Sequence, residues 1–202
     1  VLLPGFAISL GLIELVGKHV TSGSANLMSG IVYLVKQIAG AWLGVGMMSM
    51  LLSVPAATAG TPIDAQWLWL FMPLLIIALC LCFQTSRRDF FAACVGCAVA
   101  YGGVLLGSAI TGSNLGNLIG TIIAVMFANL WAGKTGRPTS IVLLPAIILL
   151  VSGSIGFRGL ASMATGQTAL GEQQFLQMFV VALTIAAGIL VGNTLSRPRV
   201  TL

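Results

Sequence analysis

Long apolar runs alternate with short polar turns along the whole chain, and this pattern predicts a bundle of membrane-spanning helices. A helix that rises 1.5 Å per residue needs about 20 apolar residues to cross a hydrocarbon core of about 30 Å. Seven runs approach or exceed this length, at residues 1–16, 24–53, 66–84, 90–106, 115–132, 141 onward and 174–195. The predicted fold is therefore all-α and polytopic, with about seven transmembrane segments.

The two ends of the chain are similar to each other. When the sequence is shifted by 148 positions without a gap, Leu2-Leu3-Pro4-Gly5 coincides with Leu150-Val151-Ser152-Gly153. The same shift places glycine on glycine and leucine on leucine further along, at Gly23/Gly171, Gly40/Gly188, Gly44/Gly192 and Leu12/Leu160. We interpret the ends as two copies of one unit, although apolar glycine-rich sequences also align easily by composition alone.

Each copy carries a candidate helix break within apolar sequence, at Pro4-Gly5 and at Ser152-Gly153. Proline lacks a backbone donor and glycine tolerates unwinding, so both motifs favour a discontinuous helix. Pro4-Gly5 lies about 12 residues, or roughly 18 Å, before the end of the first segment, and Ser152-Gly153 lies about as far after the start of the sixth, so both are near the bilayer centre. Freed backbone groups at that depth are tolerated where they line a cavity, and the alternative is a kink used only for packing.

Composition and charge fix the class and the orientation. Hydrophobic residues make up 58% of the chain and charged residues 6%, with a mean hydropathy of +1.08, so the protein is an integral membrane protein. If all seven segments cross, one side holds seven basic residues and the other holds only Arg158. The positive-inside rule then places the C-terminus in the cytoplasm and Val1 towards the outside. The seven are Lys18, Arg87, Arg88, Lys134, Arg137, Arg197 and Arg199.

This topology gives the repeat a direction. The second copy begins five crossings after the first, so it enters the membrane from the opposite side, as in the inverted 5+5 repeats of secondary transporters. The expected organisation is 1–53 for the last two helices of the first repeat, 54–65 for an external linker and 66–202 for the complete second repeat. The missing helices would come from an upstream segment or from a partner subunit.

Other classes of function find little support. The basic residues are scattered, which argues against binding of nucleic acid. Cys94 and Cys97 share a helix face, but without a second pair or a nearby histidine we interpret them as buried hydrophobic residues rather than a metal site. No HExxH motif, aspartate pair or Ser/His constellation is present in the sequence, so neither an enzyme nor a cofactor is predicted.

Charged residues within the apolar segments are candidates for transport. Lys36 lies about 12 residues, or roughly 18 Å, into the second segment, and intramembrane lysines are usually functional. It would bind a substrate carboxylate or act as a coupling group, unless it pairs structurally with a carboxylate elsewhere. Glu14, four residues before Lys18, and Arg158 are further coupling candidates. Glu14–Lys18 also fits an ordinary ion pair on a helix surface.

Polar side chains in the fifth segment are candidates for substrate binding. Asn117 and Thr121 are one helical turn apart, and Asn129 follows on the same segment. Hydrogen bonds between helices are the alternative use of such residues. Glycines at four-residue spacing predict close helix packing. They are Gly40/Gly44, Gly103/Gly107, Gly112/Gly116/Gly120 and Gly188/Gly192.

The order of several short motifs resembles the threonine/serine exporter family across the chain. Leu2–Gly5 with Ser22-Gly23 is similar to the end of that family's first domain. Its second domain is similar in the motifs Arg87-Arg88, Asn129-Leu130-Trp131, Arg137-Pro138, Leu143-Leu144-Pro145, Leu150–Ser154 and Gly156–Leu160. Ser152-Gly153 stands where the family leads us to expect Pro-Gly.

The resemblance implies export of threonine and serine from the cytoplasm across the inner (plasma) membrane, driven by the proton motive force. From the residues themselves, we expect the substrate site to include Pro4, Gly5, Ser152 and Gly153, together with Lys36 and the polar residues of the fifth segment. The alternatives are a non-transporting membrane scaffold and one subunit of a split transporter. A homo-oligomer is compatible with either.

Overall fold

In the part of the chain that the structure describes, all regular secondary-structure elements are helices. The computed structural model describes residues 4–16, 18–51, 65–111, 113–151, 158–159, 162–163 and 168–196. Within them, seven helices of 11 residues or more follow one another. They are α1 (Pro4–Val16), α2 (Val20–Leu51), α3 (Ala65–Cys82), α4 (Phe90–Thr111), α5 (Ser113–Thr135), α6 (Ser140–Leu150) and α7 (Thr168–Leu195).

Four of these helices are long and apolar enough to cross a membrane, namely α2, α4, α5 and α7. Their length and composition make the chain a multi-pass membrane protein. Large apolar side chains remain exposed on their outer faces, as expected where lipid replaces water; Trp42 on α2 is 67% exposed and Leu106 on α4 is 61% exposed. The helix α3 contains Pro73 and continues past it.

The chain divides into two compact units, each with its own packing. The first contains residues 1–62 and 152–183, and the second contains residues 63–151 and 184–202. In the first unit, α1, α2 and the first half of α7 share an apolar core formed by the buried residues Ile8, Leu34, Met178 and Ala182. Partly buried residues pack around this core: Leu12, Leu27, Ile38 and Phe175.

In the second unit α4 is the central helix, and glycines set how closely its neighbours approach. A Cβ built on Gly103 of α4 would lie 2.9 Å from the Gly120 Cα of α5, and one on Gly107 would lie 3.0 Å from the Gly116 Cα. Side chains larger than hydrogen would therefore force these two helices apart. The predicted close packing is confirmed for this pair of helices.

Three further contacts complete the second unit. Gly96 of α4 lies against Val142 of α6, and the Cys80 and Cys94 sulfurs of α3 and α4 are 3.6 Å apart. The second half of α7 lies on α5, because Gly188 contacts Thr121. Each contact uses a small side chain, which leaves the helix backbones close together.

Candidate functional site

The helix α6 ends where the sequence predicts a break. It has 11 residues, or about 16 Å, which is half the thickness of the hydrocarbon core. Val151 follows in an extended conformation with φ −66° and ψ 110°, and its N–H donates to the Ile147 carbonyl. The predicted site residues Ser152 and Gly153 lie outside the described residues. Six residues of α6 are buried, so this short helix ends inside the protein.

The other predicted break, Pro4-Gly5, lies at the first two described residues of α1. Pro4 is its first residue, a position that proline favours because the first N–H groups of a helix have no partner within the helix. Gly5 follows within the first turn. The first N–H groups of α1 and the last carbonyl groups of α6 have no partner within their own helices. The N-terminal end of a helix dipole favours an anion, and the C-terminal end favours a cation.

A close backbone crossing joins α1 to α2 through Gly11 and Gly23. A Cβ built on Gly11 would lie 2.9 Å from the Gly23 carbonyl oxygen, and one on Gly23 would lie 2.9 Å from the Gly11 carbonyl oxygen. Gly159 and Gly171 make the same reciprocal contact, at 3.2 and 2.9 Å from each other's carbonyl oxygens. These glycines stand 148 positions after the first two.

The neighbours of the two glycine crossings also correspond at this offset. Leu15 lies against Gly23, and Met163 lies against Gly171; Leu27 lies against Gly11, and Phe175 lies against Gly159. The Gly11/Gly159 match belongs to the same 148-residue alignment. A contact that recurs at the same offset as the sequence similarity is stronger support for a repeat than the glycine matches alone.

Glu14 pairs with an amide rather than with Lys18. The Asn26 Nδ2 donates to the Glu14 Oε2 at 2.8 Å, which holds the end of α1 to the start of α2. The Glu14–Lys18 ion pair considered above is not formed among the described residues. The reason is that α1 ends at Val16 and Lys18 has φ 65°, so the helical i, i+4 geometry is lost.

The counterpart of Asn26 at the 148-residue offset is Gln174, on α7. The Oε1 of Gln174 is buried and has no hydrogen-bond partner within the described part of the chain. Buried side-chain oxygens are normally satisfied, so a group that donates a hydrogen bond is expected at this position. The sequence did not point to Gln174, because a glutamine near the end of a helix usually lies on the surface.

Lys36 lies in the middle of α2. It is 16 positions after Val20 and 15 before Leu51, roughly 24 and 22 Å along the helix. It is exposed, and its Nζ lies 5.8 Å from the centre of the Tyr33 ring. This places the charge in the middle of a helix that is long and apolar enough to cross a membrane.

Asn117 and Thr121 lie on α5, and the Thr121 hydroxyl donates to the Asn117 carbonyl at 2.7 Å. Thr121 is fully buried against Gly188 of α7. Its polar atom is therefore used within its own helix, and its carbon atoms form the contact surface for α7. Asn117, one turn earlier, is partly exposed. Of the two, Asn117 has the more accessible side chain for a ligand.

Asn129 joins the end of α5 to the end of α7. Its Nδ2 lies 3.1 Å from the Asn193 Oδ1, 2.7 Å from the Ser196 carbonyl oxygen and 3.0 Å from the Ser196 Oγ. A cavity of about 470 Å³ adjoins this cluster and is also lined by Lys134. The hydrogen bonds give Asn129 a role in linking the helices, as in the alternative stated above.

Asp89 and Arg137 form an ion pair in the second unit. The Asp89 side chain is only 7% exposed and accepts a hydrogen bond from the Arg137 Nη1. Asp89 is buried because Arg137, from a loop 48 residues away, covers it. A cavity of about 260 Å³ beside Asp89 is also lined by Gln84, Thr85 and Ser140.

The ion pair predicts a measurable asymmetry between single and double variants. Arg137→Gln leaves the Asp89 carboxylate buried without its cation, so we expect it to lower the free energy of unfolding by about 1–3 kcal/mol. Thermal melting of the detergent-purified protein measures this. The double variant Asp89→Asn/Arg137→Gln should recover part of the loss, and Arg88→Gln, at an exposed arginine, should have no effect. Equal melting temperatures for all variants would contradict the pairing.

Two contacts place several basic segments at one end of the second unit. The Asp89–Arg137 pair brings the turn between α3 and α4 to the loop between α5 and α6. The Asn129–Ser196 bond brings the end of α7 to the end of α5. Arg158, the basic residue predicted for the opposite side, is exposed. Nothing in the described residues assigns Arg158 a ligand.

The chain is similar to known proteins over most of its helices. Residues 68–195 match the family described as threonine/serine exporter, ThrE; the match begins inside α3 and ends at the last residue of α7. An uncharacterised protein of Schizosaccharomyces pombe is 23% identical over 167 residues, which cover 78% of this chain and 20% of that protein. The chain therefore spans about a fifth of the length of this curated relative. No solved structure matches at a significant level.

Proposed function

The chain belongs to the threonine/serine exporter family, and from that membership we propose that it exports small neutral amino acids, threonine and serine, out of the cytoplasm. The proposed driving force is the proton motive force. The observation that carries the proposal is the family match over α3 to α7, a region that contains three helices long and apolar enough to cross a membrane. The proposed location is the inner (plasma) membrane, in several crossings.

The proposed architecture is an inverted 5+5 repeat. The recurrence of the Gly11/Gly23 crossing at Gly159/Gly171 supports two copies of one unit. An offset of five crossings between the copies gives them opposite directions in the membrane. Inverted repeats with discontinuous helices recur among secondary transporters, whose substrates bind near the membrane midplane.

The proposed substrate contacts are the backbone groups at the two predicted breaks, each considered by itself. An amino acid is a zwitterion, with a carboxylate and an ammonium group. The start of α1 at Pro4 offers N–H groups and the positive end of a helix dipole to a carboxylate. The end of α6 at Leu150, followed by Ser152 and Gly153, offers carbonyl groups and a hydroxyl to an ammonium group. Each break thus suits a different charge of the substrate.

Lys36 is the proposed coupling residue. It lies at the centre of α2 and far from either helix end, and a charged side chain within a membrane-spanning segment is usually functional. Glu14 is a second proposed coupling residue and is the carboxylate closest to Lys36 in sequence. It lies near the end of α1 and accepts a hydrogen bond from Asn26.

The proposed orientation has the basic end of the second unit in the cytoplasm. The turn with Arg87 and Arg88, the loop with Arg137 and the end of α7 are brought to one end by the two contacts described above. The positive-inside rule assigns this end to the cytoplasm. The cavity beside Asp89 opens at the same end, where substrate would enter from the cytoplasm.

The test of the function is efflux from loaded cells. Cells that produce the complete protein are loaded with labelled threonine, and efflux is followed with and without a proton gradient. We expect faster efflux than in control cells, and a loss of the difference when a protonophore collapses the gradient. The same assay with serine tests the substrate class. Efflux equal to the control under both conditions would reject the exporter and favour a membrane scaffold.

A further inference from the structure

Two glycines on α2 have nothing to pack against in the described part of the chain. A Cβ built on Gly40 or on Gly44 would meet no atom within 4 Å. Their counterparts at the 148-residue offset are Gly188 and Gly192, on α7, and both of these lie against α5. The same pair of glycines is therefore occupied in one copy of the repeat and unoccupied in the other.

The occupied pair shows what kind of surface it contacts. A Cβ built on Gly188 would lie 2.7 Å from the Thr121 Cβ, and one on Gly192 would lie 2.7 Å from the Val125 Cβ. Both would also lie within 3.3 Å of a carbonyl oxygen of α5. The contact is thus a close helix crossing in which two glycines face two β-branched residues one turn apart.

Lys36 gives independent support that the unoccupied face of α2 does not face lipid. Residues 36, 40 and 44 are spaced by four and share one side of the helix. Lys36 is exposed and central in α2, and within the described residues its contact is the Tyr33 ring. A charged side chain at that depth normally faces protein or a water-filled cavity. A lipid-facing stripe would not place a lysine in line with the two glycines.

We propose that Lys36, Gly40 and Gly44 form a docking surface for one further transmembrane helix, the counterpart of α5, encoded before Val1 in the complete protein. This proposal rests on the repeat described under the proposed function. The 148-residue offset places the counterparts of Thr121 and Val125 ahead of Val1, which assigns the occupant to an upstream segment. That helix presents small or β-branched residues four positions apart to Gly40 and Gly44.

The register of the occupied pair also predicts what meets Lys36. Gly188 meets Thr121 and Gly192 meets Val125, so the two helices run parallel with a difference of 67 in residue number. Position 184 then lies level with Asn117. Since Thr184 is the counterpart of Lys36, the docking helix carries a polar or acidic residue opposite Lys36, one turn before the first β-branched residue.

Leucine substitutions in the complete protein test the surface. Gly40→Leu and Gly44→Leu should each lower the yield of monodisperse protein in detergent several-fold, because a close helix crossing cannot accept the larger side chain. Gly46→Leu is the matched control, since Gly46 also has no atom within 4 Å in the described residues but lies on another side of α2. Equal yields for the three variants would overturn the proposal.

Disulfide cross-linking identifies the occupant even if a leucine variant fails to fold. Gly44→Cys is combined with single cysteines along each apolar segment upstream of Val1, in a background lacking the native cysteines. Oxidation in membranes should link residue 44 to one face of one upstream helix, within a single polypeptide. A link to a second copy or to a separate subunit, or no link at any position, would overturn the assignment. Neither readout requires transport, so the result is independent of the efflux test.

Discussion

Replacing Gly23 by alanine should detach α1 from α2 and lower the free energy of unfolding by about 2–3 kcal/mol. The added Cβ would lie 2.7 Å from the Leu15 backbone nitrogen and 2.9 Å from the Gly11 carbonyl oxygen. Both atoms belong to backbone, so a side-chain rotation cannot relieve the overlap. The helices must move apart, and the core around Ile8 and Leu34 then loses contacts. Thermal melting of the purified protein measures the effect.

Gly46→Ala is the matched control for this prediction, because Gly46 is on the same helix and a Cβ there meets no atom within 4 Å in the described residues. It should leave the melting temperature unchanged or raise it slightly, since alanine favours helix over glycine by up to about 1 kcal/mol. Gly171→Ala at the second crossing should resemble Gly23→Ala, as its Cβ would meet the Gly159 carbonyl oxygen at 2.9 Å. A Gly23→Ala protein as stable as Gly46→Ala would show that the crossing is not tightly packed.

Replacing Lys36 by alanine should reduce threonine efflux by about tenfold or more, equivalent to a loss of about 1.4 kcal/mol or more in the rate-limiting step. The lysine is the charged group at the centre of α2. Insertion of a charged side chain into a membrane costs free energy, so such residues usually have a function. Initial efflux rates, normalised to the amount of protein in the membrane, provide the measurement. Removing a charge from the span should leave insertion intact.

Two further variants distinguish coupling from general damage. Lys134→Ala removes an exposed lysine near the end of α5 and should leave efflux unchanged. Lys36→Arg keeps the positive charge but resists deprotonation, so it should not restore proton-driven efflux if Lys36 exchanges a proton. Normal efflux by Lys36→Ala would remove this residue from the mechanism.

The helices could be predicted from apolar run length, and most of their bounds agree to within a few residues. The main differences are at the ends. A polar turn was expected at 107–114, but α4 continues to Thr111 and α5 begins at Ser113. Gly107 packs directly on α5. Small residues here, which resemble a turn in the sequence, allow α4 and α5 to approach each other closely. The start of α7 at Thr168, six residues before the predicted 174, reflects the crossing of Gly171 with Gly159.

The candidate site was less accessible to sequence reasoning, because its contacts join distant parts of the chain. The buried state of Asp89 depends on Arg137, and the pairing of Glu14 depends on Asn26 across a helix turn. No local pattern encodes either partner. Lys36 was found because a charge within an apolar run is itself the signal. The glycine stripes predicted helix contacts, but only the structure separates the occupied Gly188/Gly192 from the unoccupied Gly40/Gly44.

The hydrogen bonds of Asn129 have a consequence for the order of events during synthesis. Its partners, Asn193 and Ser196, are 64 and 67 residues later in the chain. At about 5–20 residues per second, the ribosome completes them roughly 3–13 s after Asn129 itself. During that interval the amide has no partner from α7, so α5 enters the bilayer before its polar end is satisfied. The hydrogen bonds that hold this end of the second unit together can therefore form only after α7 has been translated.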